Sequence, residues 1–573
     1  MILQALVKYY EVLAKKGEIP LLGWSTTKVS YGLDIDADGK LLDILTLKTT
    51  PADVKKQIPR EIELPSPVKR TVGVAANFLW DNAIYLLGLD IKGNPERTKQ
   101  CFEAAKELHL RLLGESDDPF AKAICAFFEN WEITNAAEYP CVRDKYEELA
   151  EGGNVVFTLD MDFPHENEAL KNAWQQHYNN EQDGIKLPCL ITGENVVPEL
   201  IHPNIKNVRG AQSSGASIIS FNAPAFCSYN REQNLNAPIG KYAAFAYTTA
   251  LNQLLADREN VFFIGDSSVI SWTDTAESAY SELTGQVLNG GENNMTDDNL
   301  HNVVKKLAQG IEVDWNGVKL NPNNQFYILG LSPNASRISV RFFLHDTFGN
   351  FMKYSQEHYD RLEIVKPEFE PGGNIPLWKL FLETVNPNST DKKSSSPMSG
   401  DTLRAILTGG RYPTTLYQSI QLRIRADRII NYRRAAIIKA YLLRNTSNET
   451  LKEVLTVQLN EESGYQPYVL GRMFAVLEEI QEKAIPEINT TIKDKYLTSA
   501  CATPAKIFPI LLDLAQKHLR KLDTGVKIYY SKQLGTLTSL ITESYPVHHS
   551  IEDMGIFQLG YYHQNQKRYE KKN

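Results

Sequence analysis

No run of about 18 apolar residues occurs in this 573-residue chain, so a membrane-spanning helix is not predicted. Residues 1–10 carry no basic stretch followed by a long apolar one, and a secretory signal is not expected. Cysteine is scarce: six residues, at 101, 125, 141, 189, 227 and 501, with no CxxC pair. That spacing excludes a disulfide framework and argues against a zinc ribbon, leaving inert thiols in a reducing cytoplasm as the expectation. The sequence also lacks a Walker A motif, GxGxxG and HExxH. Gly265-Asp266-Ser267 and Gln212-Ser-Ser-Gly215 do not form the GxSxG nucleophile elbow. His345-Asp346 stands alone without further ligands at metal-site spacing, and His548-His549 is isolated and reads as surface. No cofactor, no metal and no enzymatic activity are therefore expected, although carboxylates paired only in space stay open. No repeat of 20–50 residues is present.

What the chain does hold is enough apolar sequence for large cores, at 42% apolar against 23% charged. Its length suggests two to four domains. The net charge of −8 hides a split. Residues 401–573 carry 24 Lys+Arg against 17 Asp+Glu, or +7, which leaves 37 against 52, or −15, for residues 1–400. Basic surface on an acidic chain suits a gated nucleic-acid binder or an assembly subunit, and also many ordinary enzymes.

The patterning predicts an α+β protein. An amphipathic helix opens the chain, with Ile2, Leu3, Leu6, Tyr9, Tyr10 and Leu13 at three- and four-residue steps. Val29–Ile35, the turn Asp36-Ala-Asp-Gly39 and an apolar strand through Leu47 read as a β-hairpin. Helices are expected over 95–150 and 165–180, strands at 155–159 and 261–264, a helix over 242–255, and a second β unit at 325–331 and 336–343. Residues 386–401, rich in Ser, Asn and Pro, read as a linker. The predicted organisation is a mixed α/β N-terminal region with β-hairpins (1–385), the linker, and a C-terminal helical bundle (402–573) with helices over 413–443, 465–485, 503–522 and 524–541.

Three segments suit contact with a polyanion. Lys206, Arg209, Gly210, Gln212, Ser213, Ser214 and Gly215 fall within ten positions, combining cations, hydroxyls and glycines that let backbone N–H groups approach phosphate. The plainer reading is a tight Gly-Ser turn between strands. Lys69, Arg70, Thr71, Gly73 and Asn77 precede an apolar anchor and suit a loop placed in a DNA groove, with Asn77 on a base edge. The alternative is a solvated loop whose Asn77 caps a helix from Phe78. Third, residues 401–445 hold nine Lys+Arg, eight of them Arg, against Asp401 and Asp427. Arg423, Arg425, Arg428, Arg433 and Arg434 suit phosphate or subunit contact. A salt-bridged face, with Arg423 and Asp427 at i,i+4 spacing, is the competing reading.

Taken in order, several segments resemble one family: Met1-Ile-Leu-Gln-Ala-Leu6; Asn77-Phe-Leu with Asp81-Asn82-Ala; Gly210-Ala-Gln-Ser-Ser-Gly-Ala216 with Ser220-Phe-Asn222; and Asn236-Ala-Pro238. Further along come Ala243–Asn252, Leu329-Gly-Leu-Ser-Pro-Asn334 with Arg337 and Arg341, Ile406-Leu-Thr-Gly409, Gly471-Arg472, and Phe557–Gln564. The chain resembles, over nearly its whole length, the large subunit of the type I-C CRISPR Cascade complex. Trp80 stands where that pattern leads one to expect a smaller residue.

The resemblance implies a non-catalytic, cytoplasmic subunit of a crRNA-guided complex. It would sit beside backbone subunits, the 5′-handle-binding subunit and small subunits. It would read a protospacer-adjacent motif in double-stranded target DNA, promote strand opening, hold the R-loop and help recruit a helicase–nuclease. It assigns residues 1–385 to DNA sensing and likens 402–573 to the Cascade small subunit. Asn77 becomes the base reader, Lys69, Arg70 and Thr71 its phosphate contacts, and Gln212, Ser213 and Ser214 a second DNA-facing loop. The Arg-rich segment would line the displaced strand or a subunit seam. The competing readings are a metal-dependent nuclease or hydrolase with dispersed carboxylates, and a scaffold contacting only crRNA and protein. The resemblance also allows a separate small subunit made from an internal start, at Met473 or at a valine or leucine codon. Initiation at Met473 would yield a 101-residue product (573 − 473 + 1). Expressing the gene with a C-terminal tag should then show this short product on a blot beside the full chain, and its absence refutes that start.

Overall fold

A computed structural model describes residues 2–49, 57–68, 70, 73–91, 93–180, 184–257, 261–290, 297–370 and 373–569. The architecture is α+β. The chain forms two compact units: residues 3–203 with 220–250, and residues 204–219 with 251–573.

The first unit is built on a four-stranded sheet in the order Leu41–Thr46, Tyr31–Ile35, Val155–Leu159, Trp80–Asp81. Tyr31–Ile35 and Val155–Leu159 run parallel, and the other pairs are antiparallel. The predicted hairpin is present, turned by Gly39 at φ +76°. A Cβ at Gly39 would lie 2.3 Å from the backbone nitrogen of Phe127, so the turn needs glycine for sterics as well as for φ. Helices Pro95–Leu113 and Pro119–Asn130 contribute Phe102, Phe120, Ile124, Phe127 and Phe128 to a core shared with Leu33, Val155 and Phe157. The stretch after Phe78, one apolar run in the sequence, is a two-residue strand and a single helical turn, Ala83–Leu86, capped by Asn82 rather than Asn77.

The second unit holds an antiparallel sheet in the order Arg337–Thr347, Gln325–Asn334, Ser267–Thr273, Phe262–Ile264. One face of this sheet (Phe262, Ile264, Val269, Phe326, Ile328, Phe342) packs on helices Ser278–Asn289 and Phe348–Leu362. The same core continues through Leu403, Ile406, Ile420, Ile438 and Tyr562. The boundary that composition suggested at 386–401 therefore falls inside this unit, and Ser396–Thr408 is already helix. The span 413–443 contains two helices, Thr414–Asp427 and Tyr432–Asn445, broken at Arg428 with φ +56°.

A second helical core gathers Leu470, Met473, Phe474, Leu477, Phe508, Leu511, Leu537 and Phe557. It closes where helices Gln466–Ala484 and Ile551–Lys567 approach each other closely at two glycines. A Cβ at Gly471 would lie 1.9 Å from the Phe557 carbonyl oxygen, and one at Gly560 would lie 2.2 Å from that of Tyr468. Met473 is fully buried in the middle of the first of these helices.

Three buried histidines lock parts of this framework in their neutral form. His109 accepts the Leu79 N–H at Nε2 (2.8 Å) and donates from Nδ1 to the Ala105 carbonyl (2.7 Å). His358 and His563 hydrogen-bond the hydroxyls of Tyr412 and Tyr468 at 2.6 and 2.8 Å. Burial lowers their pKa values to about 4, 3 and 4. The unfolded chain, near 6.5, binds protons that the folded one refuses, so stability is full above pH 6.5 and falls as pH drops toward 4. Calorimetric melting between pH 8 and 5 should show a loss that begins below pH 6.5, up to about 1.4 kcal/mol per pH unit per histidine. A flat profile over that range refutes neutral burial.

Candidate nucleic-acid interface

Three parts of the chain were expected to meet nucleic acid, and the fold treats their cations differently. In the first loop, Asp81 is buried at the end of its strand, at 1% exposure. A carboxylate out of water needs donors. It receives them from the Asn77 N–H at 2.9 Å, the Asn82 N–H at 2.8 Å and both terminal nitrogens of Arg70. Burial pushes the Asp81 carboxyl above its usual range, and the Arg70 hydrogen bonds oppose that rise. Arg70 also donates from Nε to the Ala75 carbonyl at 2.6 Å and lies over the Tyr85 ring at 4.1 Å. The Asn77 side chain is 4% exposed and accepts the Val68 N–H at 2.9 Å.

Asn77 and Arg70, expected on a base and on phosphate, are thus turned inward onto Val68, Ala75 and Asp81. A buried carboxylate claims the nearest donors before solvent-side ligands can. Gly73 is exposed at φ +99°, with open space where a Cβ would stand. Lys69 and Thr71 lie outside the described residues. Trp80 is buried and donates to the Pro65 carbonyl at 2.8 Å, which gives the large ring a structural place.

The second loop keeps its cations outward. Ile205 and Ala216 pair as a β-bridge with two 2.9 Å bonds that close residues 205–216 into a loop. Asn207, Gly210 and Gly215 have positive φ, and a Cβ at Gly215 would press within 2.8 Å of the Ile205 oxygen. Its flanks are tied to the second unit's framework: Lys206 N–H to Asn252 Oδ1 at 2.8 Å, Arg209 N–H to Ser268 Oγ at 3.1 Å, and Ile338 N–H to the Ser217 carbonyl at 3.0 Å. The backbone is held while the side chains of Lys206, Arg209, Gln212, Ser213 and Ser214 are exposed. Arg209 lies over the exposed Phe263 ring at 4.9 Å. Neither Lys206 nor Arg209 has a carboxylate partner among the described residues. The tight-turn reading and the polyanion reading are both compatible with this geometry, because the turn is what presents the cations.

The Arg-rich segment divides. Arg423 pairs with Asp427, as the i,i+4 spacing predicted. Arg434, 6% exposed at its side chain, bonds Asp427 at 2.6 Å, Glu383 at 3.1 Å and the Ile429 carbonyl at 3.0 Å. Arg433 pairs with Glu370 at 3.1 Å and Glu383 at 3.6 Å. Arg434 thus joins helices Thr414–Asp427 and Tyr432–Asn445 through Asp427, Arg433 and Arg434 tie the second helix to Glu370 and Glu383, and Arg423 is paired within its own helix. Arg425 and Arg428 are exposed beside exposed Leu422 and Ile429. Another basic surface escaped the sequence reading. Lys506, Arg520, Lys521, Lys527 and Lys532 are exposed on and between helices Pro504–Leu519 and Thr524–Ser539. The +7 balance after residue 400 signalled it, but the helical periodicity of a bundle did not say which faces stay outside.

No group of three or more His, Cys, Asp or Glu suited to a metal is present among the described residues. Asp346 accepts from Asn350 Nδ2 at 2.8 Å, and His345 stacks on Tyr327. His549 is buried against the Cys501 carbonyl, which corrects its surface reading, while His548 is exposed. All six cysteines are free thiols. No described helix is long and apolar enough to cross a membrane.

Fold and loops together describe a large α+β protein that displays cations from a braced sheet framework. The chain belongs to the CRISPR-associated protein family Cas_Csd1, whose model matches residues 6–569. This bears out the family resemblance of the sequence. No curated protein matches the chain.

The brace in the first loop is open to test. Asp81→Asn removes the buried charge that Arg70 and two backbone N–H groups share. Melting of this variant should show a loss of about 3 kcal/mol, within the range for breaking one side of a buried pair. A change below about 0.5 kcal/mol refutes the bracing role.

Proposed function

We propose that this chain is the non-catalytic large subunit of a crRNA-guided type I-C Cascade complex, and that it reads the protospacer-adjacent motif in duplex DNA and supports strand opening. Membership of a CRISPR-associated family carries the reading. The fixed 205–216 loop, with outward Lys206, Arg209, Gln212, Ser213 and Ser214, supplies the contact. Its cations meet phosphates and its amide and hydroxyls complete the register. Exposed Gly73 approaches the groove, with Asn77 and Arg70 held behind it. The Lys/Arg surface of helices Pro504–Leu519 and Thr524–Ser539 and the exposed Arg425 and Arg428 serve the displaced strand. Base pairing by the guide reads the rest of the target, and a recruited helicase–nuclease cuts it.

A scaffold that touches only crRNA and protein is the second reading. The inward pairing of Arg70, Arg423, Arg433 and Arg434 favours it.

The salt dependence of duplex binding separates the two. In the reconstituted complex, Lys206→Ala and Arg209→Ala should each weaken target-duplex binding and reduce the slope of log K against log salt by roughly 0.9 per lost phosphate contact. Unchanged affinity and slope in the double variant refute the loop's role and favour the scaffold. Cleavage of labelled DNA by the purified chain with Mg²⁺ or Mn²⁺ refutes the non-catalytic assignment.

A further inference from the structure

The sheet of the second unit has a second face, opposite the core described above, on which register places three cross-strand rows; Ile270, Leu329 and Leu331 on it are buried, while Phe263, Val340 and His345 are exposed. One row is Trp272, Tyr327, His345; the next is Ile270, Leu329, Phe343; the third is Phe263, Ser268, Leu331, Val340. In the first row the rings stack face to face across neighbouring strands. Trp272 and Tyr327 have centroids 5.3 Å apart at 18°, and Tyr327 and His345 are 4.9 Å apart at 17°. Phe343 lies parallel to Tyr327 at 6.1 Å and 14°. These separations match the strand spacing, so the column grows outward one ring per strand.

The column starts on buried Trp272 and passes through half-buried Tyr327. It ends on exposed His345 of Arg337–Thr347, the edge strand of the sheet. A column of parallel rings whose last member is exposed on an edge strand offers one further stacking position, on that last ring. Any planar aromatic group can fill it, and every nucleobase has such a face.

Charge narrows the choice. Arg341, at the bulge of the same strand, is half-exposed and bonds Asp266 at 3.0 Å across an equally exposed pair. Exposed Arg404 donates to the Arg341 carbonyl at 3.4 Å, and Arg209 lies over Phe263 in the third row. Arg341 is four residues from His345, roughly 13 Å along a strand. Against these stand Asp266 and, at the column's own end, Asp274 near Tyr327. Guanidinium groups at one end and open rings at the other suit a strand whose phosphates run by the arginines while a base stacks on His345 and Phe343.

We propose that the Trp272–Tyr327–His345 column, with Phe343 beside it, is a stacking platform for unpaired bases of a single-stranded nucleic acid. This site rests on the reading of the chain as a DNA-opening subunit, and it adds a place for bases once they have left the duplex.

The test is binding of fluorescein-labelled dT20 and of a 20-bp duplex to the full chain at low salt, followed by anisotropy. His345→Ala removes an exposed ring and leaves the core untouched. Phe343→Leu keeps apolar area and loses the π-face. Each should weaken dT20 by about five- to 150-fold, the range for one lost base–aromatic stack, and leave the duplex nearly unchanged. His345→Tyr should restore dT20 binding. Unchanged dT20 affinity in both variants, or no rescue by tyrosine, overturns the platform. Equal weakening toward duplex and dT20 overturns it as well, since stacking is denied to paired bases. Intact dT20 binding with lost association to the other complex subunits overturns it in favour of a protein contact. A wild-type chain that binds duplex but not dT20 overturns the platform alone, whereas one that binds neither overturns the DNA-opening reading too.

Discussion

Withdrawing a carboxylate from water commits the nearest guanidinium to it, and that constraint decides which cations of this chain face outward. Asp81 at a strand end holds Arg70, and Asp427 with Glu383 holds Arg423, Arg433 and Arg434. Each of these arginines was a candidate for phosphate, and each is instead paired with a carboxylate of the chain itself. The same accounting marks the outward set. Lys206 and Arg209 extend from a loop whose flanks are pinned through backbone N–H groups, so side-chain charge is not consumed in holding them.

Local rigidity follows from a few close approaches. Gly39, Gly471 and Gly560 let backbone meet backbone where any Cβ would collide, and Gly215 closes the 205–216 loop in a conformation that L-residues rarely adopt. The buried, neutral His109 ties Leu79 to the helix Pro95–Leu113, which fixes the strand end that carries Asp81. Through Asp81, Arg70 and the Asn77 backbone are held at that strand end. The Asn77 side chain, expected on a base edge, is instead committed to the Val68 N–H.

Much of the scaffold was legible from pattern alone. The Asp-Gly hairpin, the strand at 155–159, the helix at 241–256 and the long helices after residue 413 follow from two-residue and 3.6-residue periodicity. The 78–89 stretch was not legible, because a continuous apolar run has no period to distinguish a bridge strand from a helix. The boundary was not legible either. A Ser- and Asn-rich segment marks exposed chain, but whether the helices after it share a core with the strands before it depends on contacts far apart in sequence. The stacked column escaped for the same reason: Trp272, Tyr327 and His345 are separated by 55 and 18 residues, and only strand register sets them side by side.

Sequence by itself determined the α+β class, the family and the residue types able to meet a polyanion, since these depend on local order along the chain. Tertiary structure alone decided which of those residues are available. Burial pairs charges by proximity in space, and a linear text does not contain the distances that turn Arg70 and Asn77 inward while leaving Lys206 and Arg209 in solvent.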